Sequence, residues 1–237
     1  MTEVGRKFFY KPSVVIESGY TMLFLGSGDR EHPLNRDHNL VDRMYALKDY
    51  TSGTTVNKTE ADLTDVTTDL IQTTTATSGS TSIAGIQSTL SSSFGWYIKL
   101  DQNAGEKILA APTVFNKVAY FTSFAPSTTV VLDPCQPGNL GTSRLYAVDY
   151  KTGAAVLNYD KTNDNTVTTN AMATATPGAV LLRSDRSITL GSGIPSGIVM
   201  LITPGGGLRA LIGVGGIIAG EDPKKGGSVL PLYWRQK

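Results

Sequence analysis

Apolar and polar residues along this chain fall mostly into the period of two expected of half-buried β-strands, and seldom into helical spacing. Aromatic and β-branched residues dominate residues 8–17 and 20–25, with Ser18-Gly19 between them, which predicts two strands joined by a tight turn. Gly26-Ser27-Gly28 ends the second strand, and a polar loop over 29–42 leads to a third at 43–48. Residues 95–100 read as a strand. Residues 108–115 and 118–124 form a hairpin about Asn116-Lys117, and 143–149 with 154–159 form another about Lys151-Thr152-Gly153. The last third predicts strands at 179–183, 198–203, 207–214 and 230–234, with 198–216 a hairpin turned at Pro204-Gly205-Gly206. Leu63, Val66, Leu70 and Ile71 keep helical spacing and give one short helix over 59–75, against the poor helix propensity of threonine. The fold class is therefore all-β.

Part of this pattern occurs twice. Gly5 to Val15 lines up without a gap on Gly105 to Phe115. Each copy is followed by an apolar run and then by a matching string: Tyr45-Ala46-Leu47-Lys48-Asp49 with Gly53, and Tyr146-Ala147-Val148-Asp149 with Gly153. Repetition of this kind marks an array in which each sheet buries its apolar face against the next copy. Antiparallel four-stranded blades of a β-propeller fit, with 198–216 a third and more degenerate copy. Propeller blades take about 40–50 residues. The wider spacing here is filled by two insertions: a Thr/Ser-rich low-complexity stretch over 51–93, and a loop over 127–143 carrying Pro134, Pro137 and Gly138. A propeller closes with about four or more blades, so the chain is expected to form a partial propeller, completed from outside itself because open edges invite mispairing.

The 237 residues carry a net charge of +1 and only 17% charged side chains. No basic patch is long enough to follow nucleic-acid phosphates, Lys224-Lys225 being only a pair, so no nucleic-acid partner is expected. No apolar run is long enough to span a bilayer. The start, Met1-Thr2-Glu3-Val4-Gly5-Arg6, lacks the shape of a signal peptide, which leaves either a cytoplasmic protein or part of a longer secreted one. A surface rich in Thr, Ser, Asn and Gly favours the extracellular alternative. Cys135 is the sole cysteine, so it is either an unpaired loop thiol or the partner of a cysteine outside this chain.

Candidate chemistry is concentrated in one loop. Asp29, Glu31, His32, Asp37, His38 and Asp42 include both histidines of the chain, and carboxylate with imidazole suits zinc or manganese. Their spacing matches no metal-ligand motif. Asp160 and Asp164, in Asp160-Lys161-Thr162-Asn163-Asp164-Asn165-Thr166, place oxygen ligands alternately as a calcium loop does. That string lacks the turn glycine and closing carboxylate, and a solvated turn explains it more simply. No Gly-x-Ser-x-Gly or separated Ser/His pairing points to nucleophilic catalysis. Gly213-Val214-Gly215-Gly216 reads as turn glycines rather than a dinucleotide fingerprint. Trp96, Tyr97 and Trp234 are read as packing between blades before they are read as a ligand surface.

The segments Gly26 to Pro33 and Asp42 to Asp49, Gly95-Trp96-Tyr97, Gly105 to Phe124, Cys135 ahead of Leu145 to Asp149, and Trp234-Arg235 resemble, in that order, segments of the PilC/PilY-type proteins. That resemblance implies a C-terminal β-propeller domain of a type IV pilus assembly factor and tip adhesin, occupying residues 1–237 as the C-terminal part of the propeller. It implies an extracellular, pilus-associated location and no enzymatic activity or cofactor in this chain, with calcium held upstream in the parent protein. Minor pilins or the upstream part of its own propeller would be the partners, together with a host or abiotic surface ligand. It also implies that the 29–42 loop is structural: Asp29 or Asp42 accepts hydrogen bonds from loop amides, and Arg30 or Arg43 pairs with them. Two alternatives remain open. Leu145 to Gly153 also fits a quinoprotein-like dehydrogenase propeller, although no adjacent cysteine pair or set of docking tryptophans accompanies it. A purely structural subunit of a surface filament is the other.

Overall fold

A computed structural model describes residues 5–36, 40–50, 57–68, 70–73, 78–128, 141–159, 181–202, 208–221 and 223. They form three antiparallel sheets stacked face to face. The first contains β1 (Ser13–Glu17), β2 (Tyr20–Gly26), β3 (Arg43–Tyr50), β4 (Thr64–Asp65) and β5 (Gly95–Lys99). Its order is β1-β2-β3-β5-β4, so a four-stranded meander gains one short parallel strand at its edge. The second contains β6 (Lys107–Ile108), β7 (Thr113–Phe115), β8 (Val118–Pro126), β9 (Gly141–Asp149) and β10 (Ser187–Ser192). There β7, β8, β9 and β10 repeat the meander, and β6 pairs with the far end of β8 beside β7. The third has β11 (Val199–Ile202), β12 (Leu208–Val214) and β13 (Ile217–Glu221) in sequence order.

Alternation along each strand decides which side chains meet. Met22, Phe24, Met44, Ala46, Trp96 and Ile98 of the first sheet pack on Ala119, Phe121, Tyr146 and Val148 of the second. The opposite face of the second sheet, Val118, Tyr120, Leu145 and Ala147, packs on Ala210, Ile212 and Val214 of the third. The middle sheet is thus covered on both sides, and all nine residues of β8 are buried. That explains why β8 reads as a continuous apolar run rather than an alternating one. Trp96 fills the first interface as the packing reading expects, its indole Nε1–H donating to the Tyr150 carbonyl at 3.1 Å.

The sheets approach most closely beside β6. A Cβ on Gly26 would lie 2.5 Å from the Ile108 side chain, and one on Gly28 would lie 2.4 Å from the Ile108 carbonyl oxygen. Glycine at these two positions lets the Ile108 N–H donate to the Ser27 carbonyl at 2.9 Å. Beneath this crossing sits a buried carboxylate. Glu106 accepts from the Ser123 hydroxyl at 2.6 Å, the Tyr146 hydroxyl at 2.9 Å and the Asn103 amide at 2.7 Å. Three donors satisfy a carboxylate that burial would otherwise penalise heavily.

Several local expectations change. The helix over 59–75 is broken into a short 3-10 turn at Glu60–Asp62, β4, and one turn of helix α1 (Leu70–Thr73). The Asp62 carboxylate accepts from the Thr59 N–H at 2.9 Å, which favours a cap over continued helix. Helix α2 (Ile83–Ser92) lies inside the Thr/Ser-rich stretch that composition assigned to loop. It begins at Ser82, whose hydroxyl accepts from the Gly85 N–H at 3.2 Å, and buries Ile86 and Leu90. The proposed strand over 154–159 shrinks to a bridge between Ala155 and Val148. The fourth strand of that blade is β10 instead. Pro112 divides the expected strand over 108–115 into β6 and β7. The strand expected over 179–183 does not form in its described part: Leu181 and Leu182 lead into a 3-10 turn at Arg183–Arg186, whose Asp185 carboxylate accepts from the Leu182 N–H at 2.8 Å. Residues 179–180 and 230–234 lie outside the described residues, as does the turn at Pro204-Gly205-Gly206.

Candidate functional site

The loop between β2 and β3 is fixed by two lysines that occupy equivalent places in the sequence repeat. Lys107 is buried and its Nζ donates to three loop carbonyls: Asn35 at 2.6 Å, Pro33 at 3.1 Å and His32 at 3.3 Å. Burial lowers its pKa, opposed by the charges of Asp42 and Asp29. Lys7 is more exposed and reaches carboxylates, Asp29 Oδ2 at 2.9 Å and Glu31 Oε2 at 3.0 Å. These hydrogen bonds raise the Lys7 pKa.

Of the six loop residues considered as metal ligands, Asp29, Glu31 and His32 come together, with ligand atoms within 4.8 Å of one another. The Asp29 carboxylate also accepts from the Glu31 amide at 3.0 Å and contacts His32 Nδ1 at 3.1 Å. Desolvation opposes ionisation of Asp29, but hydrogen bonds from Lys7, His32 and the Glu31 amide outweigh it and hold the pKa at about 2. The Lys7 ammonium bridges Asp29 and Glu31, so a divalent cation would have to displace a charge already paired there. Asp42 is elsewhere: it is buried and accepts from the Ser27 hydroxyl at 2.7 Å, while Ser27 Oγ accepts from the Arg43 N–H at 2.9 Å. Burial raises the Asp42 pKa. Asp37 and His38 lie outside the described residues, as do Cys135, Asp160, Asp164 and Trp234.

Among the described residues, neither Arg30 nor Arg43 pairs with Asp29 or Asp42. Arg43 pairs with Glu60 and stacks over Tyr97, with Cζ 4.7 Å from the ring centroid. Arg30 lies over Tyr10 at 5.5 Å and borders an open cleft of 540 Å³. The cleft runs between Tyr10, Arg30 and Pro33 on one side and Ile194 and Pro195 on the other, with Leu109 at its floor. The 194–197 loop is tied down where the second and third sheets meet. Ser196 N donates to the Gly213 carbonyl at 2.8 Å, Ser196 Oγ accepts from Gly213 N at 2.9 Å, and the Ser196 carbonyl accepts from the Thr122 hydroxyl at 3.0 Å. Loops of the first and second sheets, with the 194–197 connection to the third, therefore line one mostly apolar concavity with a guanidinium at its rim. Sequence reasoning singled out Arg30 but missed Tyr10, Leu109 and Ile194, which come from segments far apart in the chain and carry no local motif.

At the opposite end, Asp149 accepts from the Lys151 and Thr152 amides, each at 3.0 Å, and from the Thr152 hydroxyl at 2.9 Å. Lys151 Nζ and the Tyr150 hydroxyl both donate to Glu17, at 2.9 and 2.7 Å, joining this turn to β1. The Asp149 to Gly153 string thus builds a turn that ties the second sheet to the first.

No protein-family model matches the chain, and no curated protein matches it. Among solved structures it is similar to the crystal structure of the Pseudomonas aeruginosa PilY1 C-terminal domain, with a TM-score of 0.56 at 12% identity. The match covers 92% of this chain and 45% of that one, so the chain spans under half the length of the solved domain. At that identity the likeness is one of fold: the chain has an all-β fold resembling the PilY1 C-terminal domain.

Proposed function

We propose that the chain is a non-catalytic binding and assembly module of a type IV pilus-associated surface protein, acting in pilus biogenesis and adhesion. The observation that carries this reading is the likeness of fold to the PilY1 C-terminal domain, built in this chain from three stacked sheets. Binding residues commonly sit on loops held by such a scaffold. The cleft beside Arg30 supplies an apolar, preformed surface with one cation to fix the orientation of a partner. A pilin, or a ligand on a host or abiotic surface, would dock there without any bond being made or broken. The location that goes with this role is extracellular.

Co-sedimentation with purified type IV pilus filaments tests it. The wild-type chain is expected to pellet with the filaments, and Arg30→Glu to remain in the supernatant while keeping its circular dichroism spectrum. Equal recovery of both proteins, or of neither, overturns the assignment of binding to this cleft. An absorbance titration with a quinone cofactor and calcium addresses the dehydrogenase alternative. The binding role predicts a simple sum of spectra, and a cofactor-dependent band contradicts it.

A further inference from the structure

Among the described residues, the two outermost faces of the stack leave large apolar side chains exposed, beside Asp49 on the first and Arg209 on the third. On the first sheet Ile16 is 85% exposed and Val14 53% exposed, beside half-buried Leu23 and Leu47. On the third, Ile218 is 75% and Val199 61% exposed, with Leu201 on the same face. Monomeric proteins rarely leave contiguous apolar patches of this kind uncovered.

The internal repeat says what each open face is shaped to meet. Val15 and Ala46 of the first sheet face the second, and their counterparts Phe115 and Ala147 face the third. Val14, Tyr45 and Leu47 point the other way, and their counterparts Val114, Tyr146 and Val148 are the residues of the second sheet that face the first. Every sheet therefore has a leading face, which receives the sheet before it, and a trailing face, which receives the sheet after it. The open face of the first sheet is a leading face. The open face of the third is a trailing face, because its other side, Ala210, Ile212 and Val214, already receives the second sheet.

We propose that two copies of this chain join leading face to trailing face at both ends, closing a ring of six sheets. Each contact continues the stacking already present within one chain. The two contacts are identical under a two-fold axis although each joins unlike surfaces, and such head-to-tail contacts close when the rotation permits. Six sheets fall within the four to eight of closed propellers. Closure buries Ile16 and Ile218, and it is independent of what binds the cleft beside Arg30.

Sedimentation velocity and light scattering on the full chain, with Ile16→Lys and Ile218→Lys, test this. Both substitutions are at exposed positions, and circular dichroism checks that each variant keeps its fold. The wild type is expected at twice the 25.2 kDa of one chain. Each variant alone is expected to be monomeric, its dimer affinity weakened at least tenfold. An equimolar mixture of the two is expected to recover a dimer, because one contact in the mixed pair joins two unaltered faces. A monomeric wild type overturns the proposal. So does a dimer sensitive to only one substitution, which means like faces pair, or a mixture that stays monomeric, which means that an unaltered leading face does not hold an unaltered trailing face. Mass that climbs beyond two copies with concentration overturns the closed ring.

Discussion

The second and third sheets are built from similar antiparallel strands and differ in what covers them. In the second, β8 is buried along its whole length between two neighbouring sheets. In the third, β12 is buried only at Ala210, Ile212 and Val214, and β11 and β13 leave Val199, Ile217 and Ile218 largely in solvent. The difference lies in position within the stack, not in strand chemistry: an apolar side chain stabilises this fold only where a second sheet arrives to cover it.

Truncations in the two sheets sharpen this comparison most. Phe121→Ala empties a fully buried site between the first and second sheets, and is expected to cost about 3–5 kcal/mol in urea unfolding. Ile218→Ala removes a comparable aliphatic group from the open face of the third sheet. In dilute protein its cost is expected to stay within about 0.5 kcal/mol. Equal losses at the two sites would mean that the third sheet is covered as well as the second.

Next in size is the buried carboxylate of the first interface. Glu106→Ala leaves the Ser123 and Tyr146 hydroxyls without their acceptor and is expected to cost about 2–4 kcal/mol. Glu106→Gln keeps an acceptor oxygen and should lose less. A calorimetric melt showing no difference between the two would remove the network from the account.

Acid tests the partly exposed ion pairs of the first sheet. Desolvation opposes ionisation of Asp65, yet hydrogen bonds from Lys99 and Thr67 hold its pKa at about 2, below the ordinary carboxylate value of about 4. The unfolded chain therefore binds more protons than the folded one between these values. The stabilisation is present above about pH 4 and is lost as pH falls through about 2. Asp65→Asn should flatten that part of the stability profile. Asp42 has the opposite sign, because burial raises its pKa and protonation favours the folded state. A steeper profile in Asp65→Asn would contradict the assignment.

The smallest effect is expected at the β7–β8 turn, where Asn116 and Lys117 both adopt positive φ, 51° and 64°. Left-handed backbone suits Asn and costs a lysine about 1 kcal/mol. Lys117→Gly should therefore stabilise the protein by up to about that amount, less the entropy that glycine adds to the unfolded chain.

Much of the stack was legible in the sequence because the strands that form it carry strong signals. β2, β3, β5, β8 and β9 are rich in apolar and aromatic residues, and the alignment of Gly5 to Val15 on Gly105 to Phe115 marks equivalent sheets. β10 was missed because Ser187-Ile188-Thr189-Leu190-Gly191-Ser192 is half polar and lies at a sheet edge, where alternation is weak. β13 was hidden by the glycines before it. Helix α2 was obscured by serine and threonine, although Ile83, Ile86 and Leu90 keep helical spacing behind an Ser82 cap. In the 29–42 loop, residue types suggested ligands, but a single long-range partner, Lys7, decides what Asp29 and Glu31 do. No local pattern encodes that contact, and none encodes the cleft assembled from loops far apart in the chain.

Amide hydrogen exchange resolved by residue tests the central claim, that the second sheet is a core shared by its two neighbours. The account predicts that amides of Ala119 to Phe124 in β8, with their partners in β9, exchange slowest and only through global unfolding. Those of the edge strands β1 and β13 should exchange through local opening. If β8 exchanged as fast as β13, the sheets would not be stacked as described.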